Sequence, residues 1–80
     1  MPTILNWNGY RFFFFSNEGA EPPHIHVAKD GAEAKFWLED CSLVYNDDFK
    51  HNELRKLQEV VRKNRRLFME KWNEYEKRKH

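Results

Sequence analysis

The chain reads as an α+β fold: two antiparallel β-hairpins, with a weaker short strand after them, packed by one long C-terminal helix. Three observations predict it. Asn8-Gly9 and Asp30-Gly31 each sit between alternating apolar and polar residues, and such pairs accept the positive φ angles of a tight two-residue turn. From about Asn52 the apolar period lengthens to that of a helix. The hairpins span about 3–39, the weaker strand 42–45 and the helix about 52–77, in one domain of residues 1–80.

In the first hairpin the turn at Asn8-Gly9 pairs Trp7 with Tyr10, Leu5 with Phe12 and Thr3 with Phe14. In the second, Asp30-Gly31 pairs Val27 with Ala34, His26 with Lys35, Ile25 with Phe36 and His24 with Trp37. Apolar residues thus face apolar residues, a match that a slip of one position destroys. Between the hairpins, Ser16 to Pro23 is a polar loop whose prolines end ladder pairing. Ser42 to Tyr45 is the weaker strand, and Asn46-Asp47-Asp48 reads as the turn after it. The helix carries Leu54, Leu57, Val61, Phe68, Trp72 and Tyr75 as an apolar stripe, widened by Val60 and Leu67. Asn64 falls inside that stripe and is expected to be hydrogen-bonded at the helix–sheet contact. Asp48 or Asn52 is the expected cap.

A chain of 80 residues has a small core, although 16% aromatic content helps fill it. Added stability from a partner or from homo-oligomerisation is in keeping with that size. The longest apolar run is Phe12 to Phe15, too short for a signal peptide or a membrane span, so a cytoplasmic protein with no membrane contact is expected. A single cysteine, Cys41, excludes an intrachain disulfide and a cysteine zinc cluster. The net charge of +1 hides a split: residues 1–49 carry three basic against eight acidic residues, and residues 50–80 carry eleven against five. A basic helix lying on an acidic sheet explains this blandly. The sharper explanation is a basic helix offered to nucleic acid or to an acidic partner.

Joining the two registers sorts the side chains into faces. Leu5, Trp7, Tyr10, Phe12, Phe14, Ile25, Val27, Ala34, Phe36 and Leu38 are expected to meet the helix. An open face is expected to carry Asn6, Arg11, Phe13, Phe15, His24, His26, Lys35 and Trp37. Exposed aromatics beside cations stack bases and bind phosphate, and the same apolar residues also suit a dimer or antitoxin interface.

His24 and His26, on one face of a strand, are the candidate chemical centre. Metal-independent RNA cleavage needs one imidazole to take the 2′-hydroxyl proton and another to protonate the leaving oxygen. Arg11 and Lys35 would stabilise charge on the phosphoryl group, so these four are the candidate catalytic residues, with no cofactor. Trp37, Arg55, Arg62 and Arg66 are the candidate nucleic-acid contacts, the arginines spaced by seven and four along the helix with Arg65 nearby. A solvated face with Glu59–Lys63 and Glu74–Arg78 pairs is the plainer account of that helix. A metal site ranks third: His-x-His gives two ligands, Glu18, Glu21 or Glu39 a third, and a closed site commonly needs four. The histidines can also be merely hydrogen-bonded to neighbours. His51 and His80 have no such context.

The runs Gly9-Tyr10-Arg11-Phe12-Phe13-Phe14, Ser16-Asn17-Glu18, Glu21-Pro22-Pro23-His24-Ile25-His26-Val27 and Ala34-Lys35-Phe36-Trp37-Leu38-Glu39 resemble a small bacterial family catalogued as domain of unknown function 4160. The similarity continues through Glu53-Leu54 and Trp72-Asn73-Glu74. Lys50 departs from it, standing where the family often has a serine that opens a capping box with Glu53. The resemblance implies a context similar to toxin-like members of bacterial toxin–antitoxin modules, encoded beside another small protein. It assigns no catalytic residue. The expected function is therefore an RNA-directed component of such a module, in its sharp form a metal-independent ribonuclease. The rivals are a non-enzymatic domain that binds a small partner protein or homodimerises, and a metal-binding domain.

Overall fold

Both turn signals fold as their residues dictate. In the computed structural model, which describes residues 3–14 and 21–78 (the last three as backbone), Asn8 and Gly9 have φ of 48° and 85°. Asp30 and Gly31 have φ of 51° and 86°, so each pair makes the left-handed turn that matches strand twist. These turns join β1 (Thr3–Trp7) to β2 (Tyr10–Phe13) and β3 (His24–Lys29) to β4 (Ala32–Trp37). With β5 (Leu43–Asp47) they form one antiparallel sheet in sequential order. The second hairpin keeps the expected register throughout, from Val27–Ala34 to His24–Trp37. In the first, Trp7–Tyr10 and Leu5–Phe12 hold, but Thr3 pairs with Phe13 rather than Phe14 because β1 is irregular between Thr3 and Leu5. The hairpins are joined through Phe12–Val27 and Phe13–His26, as the face assignment requires.

The fifth strand is longer than residues 42–45. Asn46 and Asp47 stay in the ladder opposite Ala34 and Glu33, and the chain turns at Asp48, with φ of 82°. The Asn46 side chain then closes the turn: its Oδ1 accepts the Phe49 N–H at 3.0 Å and its Nδ2 donates to the Phe49 carbonyl at 2.9 Å.

The expectation of one long helix is overturned. Two helices follow the sheet, α1 (His51–Lys63) and α2 (Arg65–Arg78), separated at Asn64. Asn64 has φ −108° and ψ 14°, and its backbone N–H and side-chain Nδ2 both donate to the Val60 carbonyl, at 3.0 and 2.8 Å. A short amide side chain that competes for the carbonyl four residues back bends a helix. Helical bonding resumes at once, with the Phe68 N–H on the Asn64 carbonyl at 2.9 Å. The start also differs from expectation. Lys50, not Asp48 or Asn52, is the N-cap; its side chain has no acceptor, so the tie is the Glu53 carboxylate accepting the Lys50 N–H at 3.0 Å.

The expected core face is the observed one. Phe12, Phe14, Ile25, Val27, Ala34, Phe36 and Leu38 are buried with Leu57, Val60, Val61, Phe68 and Trp72, while Leu5, Trp7 and Tyr10 pack partly buried at its margin. Phe12 stacks on Phe68 at 5.7 Å, and Phe14 meets Trp72 edge-on at 5.2 Å. Polar ties fix the helices over the β4–β5 loop. Gln58 Nε2 donates to the Cys41 carbonyl at 2.8 Å, and Arg65 Nε donates to the Leu38 carbonyl at 2.6 Å. Cys41 itself holds φ of 62°, and burial pushes its thiol pKa up, so it is protonated at neutral pH.

Candidate functional site

Strand pairing brings Arg11, Phe13, His24, His26, Lys35 and Trp37 to one sheet face, as alternation predicts. That face is not open. Phe13 is 2% exposed, His24 0%, His26 2% and Lys35 6%. Arg11 and Asn6 are exposed and Trp37 is half-buried. Phe15 lies outside the described residues, as do Glu18, His80 and the loop positions 16–20.

The contacts explain the closure. The His24 ring lies against Trp72 of α2 at 4.9 Å, and its Nδ1 is 2.8 Å from the Pro22 carbonyl. A carbonyl only accepts, so Nδ1 carries the hydrogen there. His26 stacks on Phe13 at 5.5 Å, and its Nδ1 lies 3.4 Å from Glu33 Oε2 and 3.5 Å from the Tyr45 hydroxyl. The Tyr45 hydroxyl donates to Glu33 Oε2 at 2.6 Å, which links the three side chains. Lys35 forms an ion pair with Glu21 and lies 5.3 Å from the Trp37 ring. Arg11 lies over the Phe13 ring at 4.7 Å. The two imidazoles meet edge-on at 5.2 Å. Such a layer satisfies buried polar atoms.

Sequence reasoning missed Tyr45 and Glu33 and weighed Glu21 only as a metal ligand. Tyr45 opposes Lys35 in the β4–β5 ladder and Glu33 opposes Ala28, two residues from His26. Extending the 42–45 strand into register with β4 would have found both. Among the described residues no group of three or more His, Cys, Asp or Glu is placed to hold a metal ion.

The helical arginines lie elsewhere. Arg55, Arg62 and Arg66 are exposed, whereas Arg65 is tied to Leu38. Arg62 reaches Glu59 at 3.3 Å, in place of the expected Glu59–Lys63 pair; the Arg78 side chain lies outside the described residues. Two clefts flank this helix. One of about 430 Å³ is lined by Trp7, Asn8, Lys56, Glu59, Val60, Lys63 and Asn64. The other, about 440 Å³, is lined by Arg55, Lys56, Gln58, Glu59 and Arg62. Trp7, stacked on Tyr10 at 5.7 Å, is thus the aromatic beside the basic helix. Trp37 is not brought to it; that indole borders a cleft with Pro22, Glu39 and Asp40. Lys56 and Lys63 share the seven-residue spacing of Arg55 and Arg62, a signal the sequence carried.

At the opposite end of α1, the Tyr10 hydroxyl donates to Glu53 Oε2 at 2.7 Å. That bond, then the Lys50 N–H, holds the Glu53 carboxyl below its ordinary pKa. The same bond raises that of Tyr10. Among the described residues no helix is long and apolar enough to cross a membrane. No curated protein and no solved structure matches the chain. A family model described as domain of unknown function (DUF4160) matches residues 9–73.

Proposed function

The chain belongs to the DUF4160 family, and from that premise we propose that it binds RNA through the exposed basic face of α1 and the start of α2. The observation that carries this reading is the cleft in which Trp7 stands beside Lys56 and Lys63, next to the arginine-lined one. An indole offers a stacking surface for any base, and lysine and arginine neutralise phosphates. Arg55 and Arg62 are separated by about 10 Å along the helix axis, a span over which a strand can be tracked. Among the described residues, Glu59 is the one carboxylate lining these two clefts.

The reading keeps the wider role that the family resemblance suggests, an RNA-directed component of a bacterial toxin–antitoxin-like module in the cytoplasm, working with a small partner protein. Cleavage by His24, His26, Arg11 and Lys35 has less support. A phosphate would have to reach two imidazoles that are closed to water and a lysine already paired with Glu21. Binding without cleavage is the better-supported form.

Anisotropy of a labelled single-stranded RNA of about a dozen nucleotides tests it. Lys56→Glu with Lys63→Glu is expected to weaken binding about tenfold or more and to flatten the dependence on log salt by about 0.7 per lost phosphate contact. Unchanged affinity and slope would remove this surface from consideration. Metal-independent cleavage by the wild type, abolished by His24→Ala or His26→Ala, would restore the ribonuclease reading instead.

A further inference from the structure

β5 is an edge strand, and among the described residues no strand pairs with its outer side. Among the described residues it is also the most apolar exposed stretch: Leu43, Val44 and Tyr45 are 41%, 36% and 41% exposed. The other edge is different, because Ile4, Leu5 and Trp7 of β1 pack partly buried on the core. Long exposed edges are normally blunted by lysine or proline. β5 has neither. One device is present: Lys35 opposes Tyr45 while Phe36 opposes Leu43, so Val44 is an extra, bulged residue. A bulge curbs open-ended stacking of strands, but Tyr45 to Asp47 keep regular register against β4.

The surroundings name the occupant. From Phe36 to Phe49 there are four carboxylates, Glu39, Asp40, Asp47 and Asp48, and no lysine or arginine. The Asp40 carboxylate is kept ionised by the Ser42 hydroxyl and N–H, at 2.7 and 3.0 Å. A second copy of this chain fits poorly. It would bring the same carboxylates, Asp40, Asp47 and Asp48, to the shared edge twice over, with no lysine or arginine between Phe36 and Phe49 to offset them. We infer that β5 is a docking edge for an extended, β-forming segment of a partner protein that carries lysine or arginine at its ends. Main-chain hydrogen bonds along the edge supply affinity, the apolar side chains take alternate residues of the guest, and the flanking carboxylates select its charge.

The probe is a synthetic peptide of about nine residues, alternating valine and threonine with paired lysines at both ends. A control peptide has glutamates in place of the lysines. Amide hydrogen exchange by NMR should slow within Leu43–Asp47 when the basic peptide is added. The acidic peptide should bind about tenfold or more weakly, and Asp47→Lys with Asp48→Lys should reduce affinity for the basic one by a similar factor. Val44→Pro should abolish the protection, with unchanged exchange in β3 showing that the fold persists. Equal binding of both peptides, protection of β1 instead of β5, or no protection at all would overturn the inference. So would a concentration-dependent dimer whose β5 amides are protected without peptide, since the occupant would then be a second copy.

Discussion

Phe36 and Lys35 are neighbours on β4, point to opposite sides of the sheet and are 1% and 6% exposed. Phe36 belongs to the apolar cluster beneath the helices, where burial needs no compensation. Lys35 sits in the histidine layer, where Glu21, Glu33, Tyr45 and the Pro22 carbonyl occupy polar atoms that would otherwise be stranded. Alternation along a strand decides which face a side chain joins. It does not decide whether that face is wet, because the covering groups come from elsewhere in the chain.

The apolar side is the more sensitive of the two. Phe36→Ala should cost about 3–5 kcal/mol, a large fraction of the stability of a chain this small, read as a fall in the urea midpoint. On the histidine side the outcome should depend on how the change is made. Glu21→Gln removes the carboxylate that ion-pairs with the buried Lys35 ammonium and should cost about 1–3 kcal/mol. Combining it with Lys35→Met should bring stability back to within about 1 kcal/mol of the wild type, because the charge that needed a partner is gone. An additive double variant would show that the ion pair contributes nothing specific to closing that face.

The smallest effect concerns the rim of the helix side, where Tyr10 and the Lys50 N–H bind Glu53. These bonds hold the Glu53 carboxyl below its ordinary pKa, so the folded state favours the carboxylate. Their contribution is full above the ordinary glutamate pKa and is lost as pH falls through the lowered one. Glu53→Gln should therefore be slightly less stable at neutral pH, with the gap closing on acidification. Urea midpoints of both proteins across that range check the sign.

The residues carried much of this fold openly. Two left-handed turn pairs set the hairpin registers as far as Leu5, and those registers sorted the described residues of both faces, including the join between Phe13 and His26. Three features were harder to read for physical reasons. Asn64 sits where an apolar stripe tolerates it, so the helix period gives no warning that its amide diverts the Val60 carbonyl. Lys50 cannot cap with its side chain, and the cap comes instead from Glu53, three residues on. The histidine face was expected to be open because nothing local announces that Trp72, nearly fifty residues away, will cover His24. For the candidate binding surface, Arg55, Arg62 and Arg66 were legible from spacing, whereas Trp7 came beside Lys56 and Lys63 of the same helix only once α1 lay across the sheet.

The interruption at Asn64 has a geometric consequence. A twisted sheet curves away beneath any straight rod laid on it, so a helix of this length would touch it well over only part of its run. Breaking the rod over the β4–β5 loop, where Arg65 reaches Leu38, gives the second half its own heading. Phe68 and Trp72 can then follow the surface down to Phe12 and Phe14 instead of overshooting them. One asparagine thus lets a single short chain cover a saddle with two planks.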